Sequence, residues 1–301
     1  MKNLISMRDL SRGDILYLLD LAKKIETKEM KPDMNRKLAA LIFYEPSTRT
    51  HFSFATAMKK LNGQTITMRG TKSTSVQKGE SFADTLQTIA QYADLIVIRT
   101  GVEGSARYAA ETVDIPVINA GDGANQHPTQ ALLDLYSILK TQNTLENLTI
   151  GIVGDLKFGR TVHSLVQALS DFNPKFYFAA PSHLKMPPYI LDDLRKKDIY
   201  FEEIKDVEPY MQELDLMYVT RIQKERFADP EDYEKVKGSY IINKSMLKQV
   251  KSNFKILHPL PRIDEIATEV DDTPYAYYFQ QARNGVFMRQ AIITTLLGGK
   301  E

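Results

Sequence analysis

Nine short runs rich in Val, Ile, Leu, Phe and Tyr recur along this chain, at Leu38–Tyr44, Thr65–Met68, Leu95–Ile98, Val117–Ile118, Thr149–Val153, Phe176–Ala179, Tyr200–Ile204, Leu216–Val219 and Lys255–Leu257. Between them lie segments of helical period at Asp14–Glu26, Thr50–Leu61, Ser81–Tyr92, Thr129–Lys140, Thr161–Asp171 and Asp192–Lys197, with a last one at Val286–Leu297. Strand-length runs alternating with helices predict βα units and parallel sheets. Several runs are apolar throughout, as strands buried on both faces must be. The expected fold is α/β, with two domains, each a mainly parallel sheet flanked by helices. At 301 residues the chain exceeds what one core usually holds, which also favours two domains. The polar stretch Thr141–Asn147 divides them best. That places one domain at 1–140 plus a C-terminal helix at about 286–301, and the other at 141–285.

Composition narrows the functions open to such a fold. Lys and Arg number 39 against 38 Asp and Glu, a net charge of +1, so the cation surplus of a nucleic-acid binder is missing. There is no cysteine, which excludes disulfides, thiolate metal sites and cysteine nucleophiles. Five histidines occur without HExxH spacing, so no metal is expected. Charges are scattered through the first residues, and no apolar run approaches the ~18–20 residues of a membrane span, so a cytoplasmic protein is expected.

The ends of the apolar runs carry a second pattern. LAALIFY leads into Glu45-Pro46-Ser47-Thr48-Arg49-Thr50, LIVI into Arg99, and PVIN into AGDGANQHPTQ with His127 and Gln130. TIGIVG leads into DLKFGR with Arg160, LMYVT into Arg221, and KIL into His258-Pro259-Leu260-Pro261-Arg262. In open parallel sheets, ligands bind beyond the carboxyl ends of the strands. A lone cation in a loop is ordinary, but basic or polar groups after six runs converge, and the pattern reads as an anion site.

The segment from Pro46 to Leu61 sharpens that reading. Ser47 and Thr48 suit a helix N-cap, yet Arg49 stands in the first turn where the helix dipole favours an acid, and no capping-box Glu or Gln is present. A cation there costs about 0.3–1 kcal/mol unless an anion occupies the helix end. A phosphate would reverse the sign, taking backbone N–H groups, hydroxyls and the guanidinium together. Gly159-Arg160 repeats the anomaly, while GDLKFG is neither GxGxxG nor a P-loop, which leaves a dinucleotide reading without its spacing. Mononucleotide binding on a related fold stays open. Ser73–Glu80 is a polar loop rich in donors, and an X–Pro bond of the His258–Pro261 turn is a candidate for the cis form.

Together FYEPSTRT, SVQKGES, NAGDGANQHPTQ, GDLKFGRTVHS, TRIQKER and HPLPR, in this order, resemble the catalytic chains of aspartate carbamoyltransferases over nearly the whole length. STRT marks only the carbamoyltransferase superfamily, and the last two motifs point to aspartate. The ornithine enzymes, as the resemblance implies, would carry a cysteine in the HxLP turn. The resemblance implies transfer of the carbamoyl group of carbamoyl phosphate to L-aspartate, giving N-carbamoyl-L-aspartate and phosphate in pyrimidine biosynthesis, without a cofactor. It assigns Ser47, Thr48, Arg49 and Thr50 to the phosphate, and Thr50, Arg99 and His127 to the carbamoyl oxygen. Gln130 and the Leu260 and Pro261 carbonyls fall to the carbamoyl NH2. Ser75 and Lys78 are assigned to carbamoyl phosphate and aspartate respectively, reaching in from a neighbouring chain. Arg160 is matched to the aspartate α-carboxylate, Arg221 with Gln223 to the β-carboxylate, and Glu45 with Arg160 and Arg226 to domain closure. A homotrimer with shared active sites is implied, either bare or inside an assembly with separate regulatory chains. The chain departs from the family pattern at His51, where a second arginine is expected, and at Thr100, where many relatives have histidine.

The residue types suit that chemistry on their own terms. Two anionic substrates need several cations in a water-poor cleft, and planar guanidinium groups match carboxylate and phosphate in bidentate fashion. Two other readings remain at this stage. One is a carbamoyltransferase for another amine such as ornithine, and the other is a non-enzymatic anion- or nucleotide-binding protein.

Overall fold

The computed structural model describes residues 1–70, 79–222, 229, 231, 233–234 and 238–298. They fall into two compact units, Met1–Tyr136 with Arg283–Glu301, and Ser137–Ala282.

The first unit holds a four-stranded sheet in the order β2-β1-β3-β4, from β1 (Leu38–Phe43), β2 (Gln64–Arg69), β3 (Leu95–Thr100) and β4 (Val117–Asp122). All three pairings are parallel. The connections are α2 (Arg49–Lys60), α3 (Phe82–Ala90) and α4 (Ser105–Thr112), preceded by α1 (Arg12–Thr27). Central β1 and β3 are buried almost throughout, as their unbroken apolar sequences require. Edge strand β2, QTITMR, is mostly exposed, with none of its residues fully buried, and accordingly mixed in character. α1 starts with a full capping box between Ser11 and Asp14, whereas α2 has none.

The second unit holds five parallel strands in the order β7-β6-β5-β8-β9, namely β5 (Thr149–Val153), β6 (Lys175–Ala179), β7 (Phe201–Ile204), β8 (Leu216–Val219) and β9 (Lys255–Leu257). α6 (Arg160–Leu169) comes after β5, and α7 (Pro188–Lys196) after β6. Val153, Val219, Ile256 and Tyr177 form one side of its core with Val207, Leu214, Phe254 and Val270.

All nine expected strands are present, so the α/β class with two parallel sheets holds. Helical features differ from expectation in several places, among them the start of α7 at Pro188, four residues before Asp192. SARYAAET forms α4, which presents only Ala106 and Ala109 as buried apolar residues and starts from Gly104 without a side-chain cap, so it leaves no large-residue period to read. The last helix, α8, runs over Tyr278–Leu297, eight residues before the expected Val286, because its first turns bury the polar Gln281 and Asn284. The polar stretch after Lys140 stays helical through Gln142, the end of α5 (Pro128–Gln142).

Candidate active site

In the first unit the strand register brings the expected groups to one edge. Phe43, the last residue of β1, pairs with Arg69 of β2 on one side and with Arg99 of β3 on the other. The loop Glu45–Thr48 leaves that same strand end, and Thr48 is the N-cap of α2 with no side-chain cap hydrogen bond. No acid stands in the first turn, Arg49 opens the helix, and Thr50 is buried. The start of α2 therefore carries a cation where the helix dipole favours an acid, with no side-chain cap. Glu45 Oε2 lies 3.5 Å from Arg99 Nε, and Arg99 Nη1 donates to the Ala120 carbonyl at 3.4 Å. The ion pair and carbonyl contact restrain that guanidinium beside the loop.

His127 and Gln130 are placed by a second device. Asp122 ends β4 and accepts from Asn119 Nδ2 at 2.9 Å, from the Gln126 backbone N–H at 3.1 Å and from the Gly104 N–H at 3.0 Å. This buried carboxylate ties the AGDGANQ loop to α4 and delivers His127, buried, to the start of α5. The His127 carbonyl then accepts from the Gln130 N–H at 3.0 Å, opening the helix.

His51, the departure from the family pattern, is 6% exposed against Phe43. Its Nδ1 lies 2.9 Å from Arg69 Nη2 and its Nε2 3.1 Å from Thr67 Oγ1. A guanidinium only donates, so Nδ1 accepts and Nε2 carries the proton. Burial first, and the Arg69 cation second, push the imidazole below its ordinary value. Arg69 was missed by sequence reasoning, because its place beside the α2 helix is set by β1–β2 register and no local motif marks it.

In the second unit the expected residues again stand at strand ends. Val153 of β5 pairs with Val219 of β8, and Thr220 N–H donates to the Val153 carbonyl at 2.9 Å. Gly154 turns out of β5 at φ +119°, and a Cβ there would collide with the Thr220 carbonyl. Only glycine permits this approach. The next residue, Asp155, is buried and accepts from the Phe158 N–H at 2.9 Å and the Lys157 N–H at 3.2 Å, folding DLKFG into the turn that starts α6. Arg160 is the first residue of that helix, 8% exposed. Arg221 comes just after β8 and lines a cavity with Gly154, Thr220, Tyr240, Asp264 and Glu265.

Beyond β9, the His258–Arg262 turn adjoins that cavity through Glu265. The Leu260–Pro261 peptide is cis, and Leu260 has φ +56°. Arg262 forms a two-pronged contact with Asp271 and donates to Tyr278 Oη at 2.9 Å, so it anchors the turn instead of extending from it. Ser75, Lys78, Gln223 and Arg226 lie outside the described residues. Among the described residues no cluster of His, Asp or Glu could hold a metal ion, and no helix is long and apolar enough to cross a membrane.

Each unit is thus a parallel α/β sheet whose carboxyl strand ends carry guanidinium groups and uncapped helix starts, the build of a two-domain α/β protein that receives small anions. The model of the aspartate/ornithine carbamoyltransferase carbamoyl-P binding domain matches residues 2–140, and that of the Asp/Orn binding domain matches residues 146–296. The aspartate carbamoyltransferase catalytic subunit of Parabacteroides distasonis is 51% identical over 298 residues, covering 99% of this chain and 97% of its own. The corresponding subunit of Thermococcus onnurineus is 50% identical, again covering 99% and 97%. Among solved structures, the catalytic subunit of M. jannaschii aspartate transcarbamoylase superposes with a TM-score of 0.91 at 50% identity, covering 99% of this chain and 98% of that one. Aspartate transcarbamoylase from Trypanosoma cruzi, in complex with N-(phosphonacetyl)-L-aspartic acid, gives 0.91 at 37% identity, with 97% and 94% covered. The chain belongs to the aspartate/ornithine carbamoyltransferase family, among the aspartate carbamoyltransferase catalytic chains.

Proposed function

We infer that the chain transfers the carbamoyl group of carbamoyl phosphate to the amine of L-aspartate in pyrimidine biosynthesis. The observation that carries this reading is the placement of Arg49 and Arg99 at the carboxyl edge of one sheet, and of Arg160 and Arg221 at the carboxyl edge of the other.

Charge sets the division of labour. The uncapped N-terminus of α2, with Ser47, Thr48, Arg49 and Thr50, suits a phosphate, which accepts from N–H groups, hydroxyls and guanidinium at once. Arg99, His127 and Thr50 serve the carbamoyl oxygen. Negative charge grows on that oxygen as the amine adds to the carbon, and loss of one donor at such a position typically costs ~10²–10³ in rate. Gln130 and the Leu260 and Pro261 carbonyls take the carbamoyl NH2. Arg160 and Arg221, with Gln223, take the two aspartate carboxylates, whose charge a cationic amine such as ornithine lacks at the side chain.

The new N–C bond forms as the C–O bond to phosphate breaks. The amine proton passes to the departing phosphate, itself a base, so no side-chain nucleophile is needed. Holding both substrates in line supplies much of the remaining acceleration. Glu45, Arg160 and Arg226 are proposed to link the two domains on closure.

The working unit is a homotrimer in the cytoplasm, with Ser75 and Lys78 donated across the subunit interface. Resemblance of SVQKGES to a donated loop supports the trimer. Separate regulatory chains are compatible with this unit, and mass analysis of the natively purified complex distinguishes the two assemblies.

Phosphate release from carbamoyl phosphate, measured with a panel of amines, tests the function. Aspartate is expected to turn over fastest. Faster turnover with ornithine would overturn the aspartate assignment, and binding without any phosphate release would reduce the chain to an anion binder.

A further inference from the structure

Gln130 poses a question that its assignment alone leaves open. A glutamine amide presents either an acceptor oxygen or a donor NH2, and rotation by half a turn exchanges them. Only the oxygen complements a carbamoyl NH2. Something must hold the amide in one sense.

One turn further along α5 stands Asp134, fully buried, with Oδ1 2.8 Å from Gln130 Nε2. A carboxylate has lone pairs and no proton to give, so the atom facing it is the amide nitrogen. That leaves the oxygen as the end that meets substrate.

A buried carboxylate needs a compensating cation. Arg289 of α8, itself 2% exposed, brings a cation into the same buried region beside Leu133. Burial draws this arginine down to about 10, which still leaves it cationic at neutral pH. The helix is shaped to admit it. Gly285, one turn earlier, has no Cβ, and a Cβ there would collide with Arg289 Nη1 and come within 2.9 Å of Leu133 on α5. The same guanidinium donates to Ser53 Oγ at 2.9 Å and lies 4.9 Å from the centre of the Phe54 ring, both on the helix that carries Arg49.

We propose that Asp134 is a positioning residue that fixes the Gln130 amide with its oxygen toward the carbamoyl NH2, and so makes the site choose carbamoyl phosphate over acyl phosphates of the same shape. This rests on the assignment of Gln130 to the carbamoyl NH2. A site built to hydrogen-bond an NH group rejects an analogue lacking it, because a polar group is then left unpaired. Acetyl phosphate, with methyl in place of the amino group, is that analogue.

The test measures dissociation constants of carbamoyl phosphate, acetyl phosphate and inorganic phosphate for the intact enzyme, for Gln130→Ala and for the double variant Asp134→Leu/Arg289→Met. Replacing both charges by apolar groups of similar size spares the fold the penalty of a single buried charge. The preference for carbamoyl over acetyl phosphate is expected to fall at least about fivefold in the double variant, to the Gln130→Ala level. Inorganic phosphate should bind within about twofold of wild type, since it has no NH2 to read. Arg289→Lys, which keeps the cation, is expected to retain the preference.

Three results overturn the proposal. A folded double variant with the wild-type preference shows that the amide needs no anchor. Parallel loss of inorganic phosphate binding shows that the pair merely supports the phosphate helix. Unchanged preference in Gln130→Ala removes the assignment of Gln130 itself, and the proposal with it. Should the double variant not fold, Asp134→Ala gives the same reading, because it leaves Gln130 no acceptor to hold its NH2.

Discussion

His258 and Glu265 face each other across 2.7 Å in the interior of the second unit, His258 Nε2 against Glu265 Oε1. The Leu260 N–H donates to His258 Nδ1 at 2.7 Å, so the proton of the ring sits on Nε2 and points at the carboxylate. Glu265 Oε2 in turn accepts from the Ile263 N–H at 3.0 Å. One carboxylate thereby closes the turn that carries the Leu260 and Pro261 carbonyls.

That closure has a pH signature. Burial pushes the Glu265 carboxyl up, but the hydrogen bonds it accepts from His258 and from the backbone outweigh it and hold it below its ordinary 4.5. A carboxyl lowered by folding contributes stability above its unfolded value and loses it as the pH falls through the folded one. Glu265→Gln is expected to cost about 1–3 kcal/mol at pH 7. The gap between the wild-type and variant unfolding midpoints should narrow below pH 4.5. A gap constant from pH 7 to pH 3.5 would show that the ionised form adds nothing.

Gly154 sets how closely β5 and the Arg221 loop approach. With φ at +119° and no space for a Cβ against Thr220, Gly154→Ala must shift one strand end. A cost of about 2 kcal/mol or more is expected, a midpoint loss of roughly 5 °C for a chain of this size. The KM for aspartate should rise more than that for carbamoyl phosphate, as steady-state kinetics with each substrate varied in turn would show. Equal increases in both would disconnect Gly154 from Arg221.

Arg221→Ala separates the two substrates most directly. Loss of a charge-assisted contact is worth about 1.5–3 kcal/mol, so aspartate affinity should drop by roughly ten- to a hundredfold. Carbamoyl phosphate should bind nearly as before in equilibrium titration. A comparable loss for carbamoyl phosphate in a folded variant would contradict the division proposed between Arg221 and Arg49.

Sharing of active sites between chains is tested by mixing two inactive variants, Arg49→Ala and Lys78→Ala. If Lys78 comes from the neighbouring subunit, some interfaces in mixed trimers regain both groups, and part of the activity returns. Mixed trimers that assemble fully and recover nothing would refute the donated loop.

Much of the fold was legible because its information is local. Val, Ile and Leu runs such as LIVI and TIGIV mark buried strands wherever they occur, and the missing acid after Thr48 marks the anion-facing helix start. Helix α4 escaped because alanines pack against a sheet without a large-residue period, and the first turns of α8 escaped because their inward residues are polar.

Sequence alone determined the α/β class, the nine strands and the loops that bear Arg49, Arg99, Arg160 and Arg221, because strand periodicity and helix-end chemistry are written in consecutive residues. Tertiary structure decided the order β2-β1-β3-β4, the pairing of Arg69 with His51, and the burial of Arg289 against Ser53, 236 positions away. A buried polar group must find its partner wherever the chain returns to it, and strand register and helix packing set that return.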